Sequence, residues 1–148
     1  MRNRGALALI ELALMLLVFA LAAVFCLRAF VWADTASKEM EARDAALIRV
    51  QNAAEVLKSR GGDMAHAQTA GAELLGGQVE QGLWYILYDE NWNPVEDWND
   101  ASYCLNVPGV PSGVEGLRKA AVWVDTCGNG AVTLCTIPVA WQEVTPDG

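Results

Sequence analysis

The sequence predicts an α+β chain in which one long N-terminal helix, apolar in its first half and amphipathic in its second, is followed by a roughly four-stranded antiparallel sheet. Three observations carry this expectation. Across residues 5–27 the one charged side chain is Glu11. Residues 34–60 contain no Gly or Pro and are rich in Ala, Glu, Lys, Arg, Leu and Met, the residues with the best helix propensity. From residue 83 onward aromatic and β-branched runs alternate with turn clusters, so strands follow helices through short connections, and this favours α+β over a parallel α/β sheet.

The first stretch reads as a membrane segment, because about 20 consecutive apolar residues suffice to cross a bilayer as a helix. Arg2 and Arg4 precede it, and Arg28, Asp34 and Glu39 follow it. The positive-inside bias therefore places the N-terminus in the cytoplasm and the C-terminal part outside, in a single-pass arrangement. A secretory signal peptide is the rival reading, but its apolar region is usually about 7 to 15 residues long and ends in a small-residue cleavage site. Here the apolar run is longer and passes into a second helical stretch. Trp32 stands just beyond it, where interfacial aromatic residues anchor helices.

In residues 34–60 the apolar positions Ala36, Met40, Leu47, Val50, Ala54 and Leu57 recur at steps of three and four, the mark of one buried stripe, and Lys38, Glu41, Arg43, Glu55 and Lys58 fall off it. An unbroken helix through residue 60 would be roughly 80 Å long at 1.5 Å per residue, well beyond a bilayer, so its second half must lie on something else. Gly61-Gly62 ends the helix after a basic last turn. Asp63 caps a short second helix that runs to about Leu75 and stops at Gly76-Gly77. His66, the one histidine, lies there without Cys or carboxylate partners at ligand spacing and reads as a surface or packing residue.

Four strands are expected, at residues 83–88, 103–107, 117–126 and 131–139. The cluster at residues 89–94 supplies the first turn, and Pro108 and Pro111 close the second strand. Cys127-Gly-Asn-Gly130 provides the positive φ angles of a hairpin turn. In simple register that hairpin puts Ala121, Trp123, Cys135 and Ile137 on one face and Val122, Val124, Val132 and Leu134 on the other. Pro138, lacking an amide donor, argues for an edge position in the last strand.

The opening residues, a short basic leader and then Leu7-Ala-Leu-Ile-Glu11 after the small residue Ala6, resemble the processing site of type IV pilins and of the pseudopilins of type II secretion and DNA-uptake machines. In that family the leader is cut after a small residue, usually Gly, and the glutamate is the fifth residue after the cut. The resemblance implies cleavage between Ala6 and Leu7; cleavage between Gly5 and Ala6 would place Glu11 one residue too far. It covers about the first 30 positions. Glu11-Leu-Ala-Leu14 also looks like the opening of tight-adherence-type minor pilins. The family implies a pilin-like fold, a prepilin peptidase, other pilin or pseudopilin subunits, an inner-membrane assembly platform and membrane lipid as partners, and a filament or cell-surface location. It also implies that Glu11 meets the freed N-terminal amine of a neighbouring subunit. A carboxylate within hydrocarbon costs on the order of 2.5–3.5 kcal/mol at a helix centre and less near an end, so such a residue is a functional candidate; the plain alternative is a glutamate that reaches interfacial water. The organisation expected is a leader at residues 1–6, an assembly helix at 7–33, its amphipathic continuation at 34–60, a connecting segment at 61–82 and a sheet domain at 83–148.

Of 10 Lys and Arg and 18 Asp and Glu, setting aside Arg2, Arg4, Arg28 and Glu11 leaves 7 basic against 17 acidic residues from Asp34 on, a balance of -10 that argues against nucleic-acid binding. The acidic loop places Asp89, Asn91, Asn93, Asp97 and Asp100 at positions one, three, five, nine and twelve of an EF-hand-like loop, which makes them weak calcium candidates. Pro94 replaces the glycine at the sixth place, and a solvated hairpin loop is the stronger reading. Cys26 reads as an apolar filler, while Cys104 is expected to bond with Cys127 or Cys135 in an exported domain unless all three remain thiols. Trp92 and Trp98 are candidates for an exposed ligand patch, sugars included. No nucleophile, base and orienting group can be assembled and no cofactor motif is present, so no enzymatic activity is expected. An unprocessed, membrane-anchored module binding a ligand or calcium is the alternative from another functional class.

Overall fold

The computed structural model describes residues 4–128 and 130–143. Arg2 and Asn129, which entered the charge-bias and turn expectations, lie outside the described residues. The elements in chain order are α1 (Arg4–Arg60), α2 (Met64–Leu75), β1 (Gln78–Glu80), β2 (Leu83–Tyr88), β3 (Pro94–Val95), β4 (Tyr103–Val110), β5 (Leu117–Thr126) and β6 (Thr133–Gln142). The chain forms two compact units, residues 1–41 and residues 42–148, and α1 contributes to both.

The first unit is a stretch of helix long and apolar enough to cross a membrane. Its large apolar side chains from Leu7 to Trp32 are between 52% and 76% exposed, on every side of the helix. A surface of that kind is far larger than the apolar patches that water-facing proteins display, so it calls for hydrocarbon or for other helices around it.

In the second unit the remainder of α1 packs on an antiparallel sheet. Ala46, Val50, Ala53, Ala54 and Leu57 are buried against Trp84, Ile86, Leu105, Val107, Val122 and Val124. The expected stripe is right at Val50, Ala54 and Leu57. It is displaced at Met40 and Leu47, which are exposed, and Ala46 and Ala53 complete the buried face; Ala36, in the first unit, is half-buried. Burial on α1 begins at Ala46, and alanines on this face let the helix backbone come close to the sheet.

Both ends of α2 follow the local chemistry of the sequence. The Asp63 carboxylate accepts the His66 amide at 2.7 Å, satisfying one of the orphan donors of the first turn. At the other end the amide of Gly76, at φ 85°, bonds the Ala72 carbonyl. Gln68, buried within α2, donates its amide protons to the carbonyls of Gly82 (2.7 Å) and Val107 (2.8 Å), so it ties the helix to both β2's approach and β4.

The sheet has six strands rather than four, in the order β1-β2-β4-β5-β6 with β3 also paired to β2. β1 was not anticipated. It forms a hairpin with β2 through Gln81 (φ 50°) and Gly82 (φ 81°), a two-residue loop with both central residues in the left-handed region, which matches the twist of the flanking strands. β4 runs on past residue 107 through Pro108 to Val110; its pairing with β2 ends at Pro108, whereas β5 pairs with it from Tyr103 and again at Gly109 and Val110. β6 is an edge strand, as Pro138 suggested.

The face assignment of the last hairpin requires correction. Near the turn Asp125 opposes Thr133, the register expected, but a bulge between Val124 and Asp125 shifts the ladder by one, so that Val124 faces Cys135 and Val122 faces Ile137. A slip of one residue exchanges the faces of a strand. Cys135 and Ile137 therefore lie on the helix side with Val122 and Val124, packed against the main core, and Trp123 lies on the outer side.

Trp84 is fully buried against Gly71 of α2, and a Cβ at residue 71 would lie 2.6 Å from the indole. Gly71→Ala is accordingly expected to destabilise the second unit by about 1–3 kcal/mol through overpacking, despite alanine's better helix propensity. Urea unfolding of the micelle-held chain, followed by tryptophan fluorescence, measures this; an unchanged or higher midpoint would contradict the close packing of Trp84.

Candidate functional site

Two regions carry chemistry, one in each unit. In the first, Ala6, Leu7 and Glu11 all fall within α1 and all are exposed. Glu11 is surrounded along the helix by Leu7, Ile10, Leu12, Leu14 and Met15, and among the described residues it makes no ion pair. Gly5 also lies in α1, with open space where a Cβ would stand, so nothing in the fold distinguishes a cut before Ala6 from one after it.

In the second unit the loop from Asp89 to Ser102 folds over one end of the sheet. Asp89 organises its start. One carboxylate oxygen accepts the amides of Asn91 and Asn93, both at 2.8 Å, and the other accepts the Asn93 side chain at 3.0 Å. These bonds, chiefly from the Asn93 side chain, hold the Asp89 carboxyl below its ordinary range. Asp97 repeats the pattern with the amide and side chain of Asn99, at 2.9 and 2.8 Å. Pro94 and Val95 between them pair with Tyr88 and Leu87 as β3.

The five calcium candidates thus lie on two separate turns joined by a strand. Asp89 uses both carboxylate oxygens, and Asp97 one of its two, to cap those turns. Among the described residues no three His, Cys, Asp or Glu side chains are close enough to hold a metal ion.

Trp92 is half-buried and packs against the main core rather than forming an exposed patch. Its φ is 65°, a conformation costly for a side chain of this size. It is held there by stacking on Tyr103, with centroids 4.1 Å apart and planes 3° from parallel. The Arg49 guanidinium of α1 sits over the rings of Trp92 and Tyr88, at 4.7 and 5.0 Å, and donates to the carbonyls of Trp92 (3.0 Å) and Ala45 (3.2 Å). Burial raises the Tyr88 phenol, and Arg49 opposes that rise. This clamp of one arginine and three aromatic rings fastens the loop to the helix. It was not legible in the sequence, where nothing near Arg49 indicates that rings from a distant loop will enclose it.

Trp98 does remain outside, 56% exposed, leaning on Tyr85 on the outer face of the sheet. With Glu80, Gln81 and Leu83 these two rings line a cleft of about 360 Å³. A second cleft, of about 290 Å³, lies between Gly76–Gln78 and the β3 segment. The Tyr85 hydroxyl donates to Gln78, 3.1 Å away.

All four cysteines are free thiols. The two pairings anticipated for Cys104 are not equivalent in this fold. Cys135 belongs to the helix side of the sheet, whereas Cys104 is buried on the outer side with Tyr85 and Leu87, so a bond to Cys135 is ruled out by the sheet between them. Cys127 packs against the same outer cluster, but Asp125 holds the place directly across from Cys104 and leaves Cys127 on the diagonal. Burial pushes the Cys104 thiol up to about 12, with the neighbouring Cys127 and Asp125 adding to the effect.

Compared with protein-family models, with curated proteins and with solved structures, the chain matches none.

Arg49→Lys is expected to loosen the loop and to cost about 1–2 kcal/mol, because lysine keeps the charge but not the planar stack or the forked donors. The check is urea unfolding together with faster amide exchange at Asn91 and Asn93; unchanged exchange would contradict the clamp. For Cys104, a thiol raised from 9.0 to about 12 is expected to alkylate at pH 8 about a thousandfold more slowly in the folded chain than in urea. The same shift makes stability fall as pH rises from 9 toward 12, since the folded state retains a proton there that the unfolded state has released. Iodoacetamide labelling of a variant with Cys104 as its sole cysteine tests this, and equal rates in both states would refute the buried thiol.

Proposed function

We propose that the chain is a structural subunit of a type IV pilus-like or type II secretion pseudopilus-like filament, trimmed by a prepilin peptidase and assembled through its N-terminal helix. The observation that carries the reading is an apolar helix exposed on all sides, with a single carboxylate, Glu11, set among its first turns beside the Ala6-Leu7 sequence.

The physical logic follows from that helix. The N-terminus stays in the cytoplasm, residues 7–33 rest in the inner membrane, and the second unit lies outside it. Hydrolysis of the Ala6–Leu7 peptide bond releases the leader with a carboxylate on Ala6 and leaves a free α-amine on Leu7. A carboxylate and an amine from neighbouring subunits, both in a low-dielectric setting, offset each other's desolvation when they pair, which sets the axial register between helices. The apolar side chains that faced lipid then face other subunits, so moving from membrane to filament exchanges one apolar environment for another at little hydrophobic cost. The partners are other subunits, the peptidase, the assembly platform and lipid. The role is mechanical rather than catalytic and needs no cofactor.

A second reading, an unprocessed anchored binding module, draws on the open Tyr85–Trp98 cleft. Processing separates the two. After co-expression with a prepilin peptidase, intact mass and the N-terminal peptide are expected to show a mature chain beginning at Leu7, and Ala6→Leu is expected to abolish the cut. Glu11→Ala is expected to leave the cut in place and to reduce filament incorporation about tenfold or more, a loss of at least 1.4 kcal/mol per contact. A chain that retains Arg2 and Arg4 would overturn the filament reading in favour of the anchored module.

A further inference from the structure

Tyr85 and Tyr88 are three residues apart on β2 and so project to opposite faces of the sheet. On the helix side, Tyr88 and Trp92 enclose the guanidinium of Arg49. On the outer side, Tyr85 and Trp98 form a similar corner, with centroids 5.6 Å apart and planes inclined by 31°. Among the described residues no cation lies over this second pair.

The outer corner also has a carboxylate that the inner one lacks. Glu80 lines the same cleft and is close enough to Tyr85 that its charge reinforces the rise that burial imposes on the phenol. Glu80 is exposed and forms no ion pair among the described residues. The Glu80 carboxylate beside the open Trp98 ring repels anions and favours a cation.

We propose that this corner is a docking pocket for an arginine side chain of a partner polypeptide, with the guanidinium on the open ring of Trp98, beside the buried Tyr85, and paired to Glu80. Arginine suits it better than lysine, because a guanidinium is planar, weakly hydrated, stacks on aromatic faces and presents a fork of donors to a carboxylate. A cleft of about 360 Å³ has room for one such head group and its methylene stem. The inner corner demonstrates that this chain already holds a guanidinium between a tyrosine and a tryptophan. A sugar would also stack on Trp98, but it would gain nothing from the charge of Glu80. The pocket is independent of the processing of the N-terminus, so it stands or falls separately from the filament reading.

The test uses the full chain in detergent micelles, with ¹⁵N-labelled tryptophan indoles assigned for NMR. Three probes are titrated: blocked arginine (N-acetyl-arginine methylamide), its uncharged citrulline counterpart, and tri-N-acetylchitotriose. Blocked arginine is expected to shift the Trp98 indole saturably, with citrulline about tenfold weaker or worse. Glu80→Gln, on an exposed three-residue strand, is expected to keep the circular dichroism spectrum and melting temperature while weakening blocked arginine about tenfold. Equal binding of arginine and citrulline, equal binding to Glu80→Gln, or no saturable shift would overturn the proposal. A Trp98 response to the chitotriose alone would also overturn it, and would identify a carbohydrate platform instead.

Discussion

The second unit depends on the burial of one narrow face of α1. Ala46, Val50, Ala53, Ala54 and Leu57 meet the inner face of a sheet whose opposing residues are mostly large, Trp84, Ile86 and Leu105 among them. Small side chains on the helix and large ones on the sheet make a close-packed contact in which each fully buried Val or Leu contributes about 1.5–3 kcal/mol. A sheet with one apolar face cannot stand alone in water, and a helix with a single apolar stripe does not persist alone either. Each supplies the surface the other needs, and α2 closes the remaining end over Trp84.

Local chemistry was the most legible part of the sequence. The end of α1 at Gly61-Gly62, the Asp63 cap, the span of α2 and the limits of β2 and β5 follow from residues acting on their immediate neighbours. What the sequence concealed depends on distant partners. The bulge beside Val124 is invisible in a strand read alone, yet it exchanges the faces of Cys135 and Ile137. β1, three residues long and exposed throughout, has no apolar alternation to announce it and exists because Gln81-Gly82 turns it back onto β2. Trp92 looked like a loop residue because nothing adjacent to it shows that Tyr103 and Arg49 will enclose it.

The candidate sites divide in the same way. Glu11 and the Ala6-Leu7 junction are conspicuous in the sequence because a lone carboxylate among apolar residues needs no tertiary information to be noticed. The Tyr85–Trp98 corner combines residues from β2, the β1 hairpin and the acidic loop, three segments that only the fold assembles. The acidic loop drew attention for its oxygens. In the structure those of Asp89 and Asp97 serve to shape the turns that carry Trp92 inward and Trp98 outward.

Gln68 has a further consequence, for how the fold is selected rather than for how strongly it is held. Its side-chain nitrogen carries two protons, and the carbonyls that take them belong to segments far apart in sequence, Gly82 and Val107. Both are in place when Trp84 lies across from Val107, the pairing observed between β2 and β4. Were β4 to slip by one residue, one proton of a buried amide would lose its acceptor at a cost of about 1–3 kcal/mol, while an apolar side chain at residue 68 would be indifferent to the slip. A single glutamine thus proofreads the alignment of two strands, trading some ease of collapse for one admissible arrangement of the sheet.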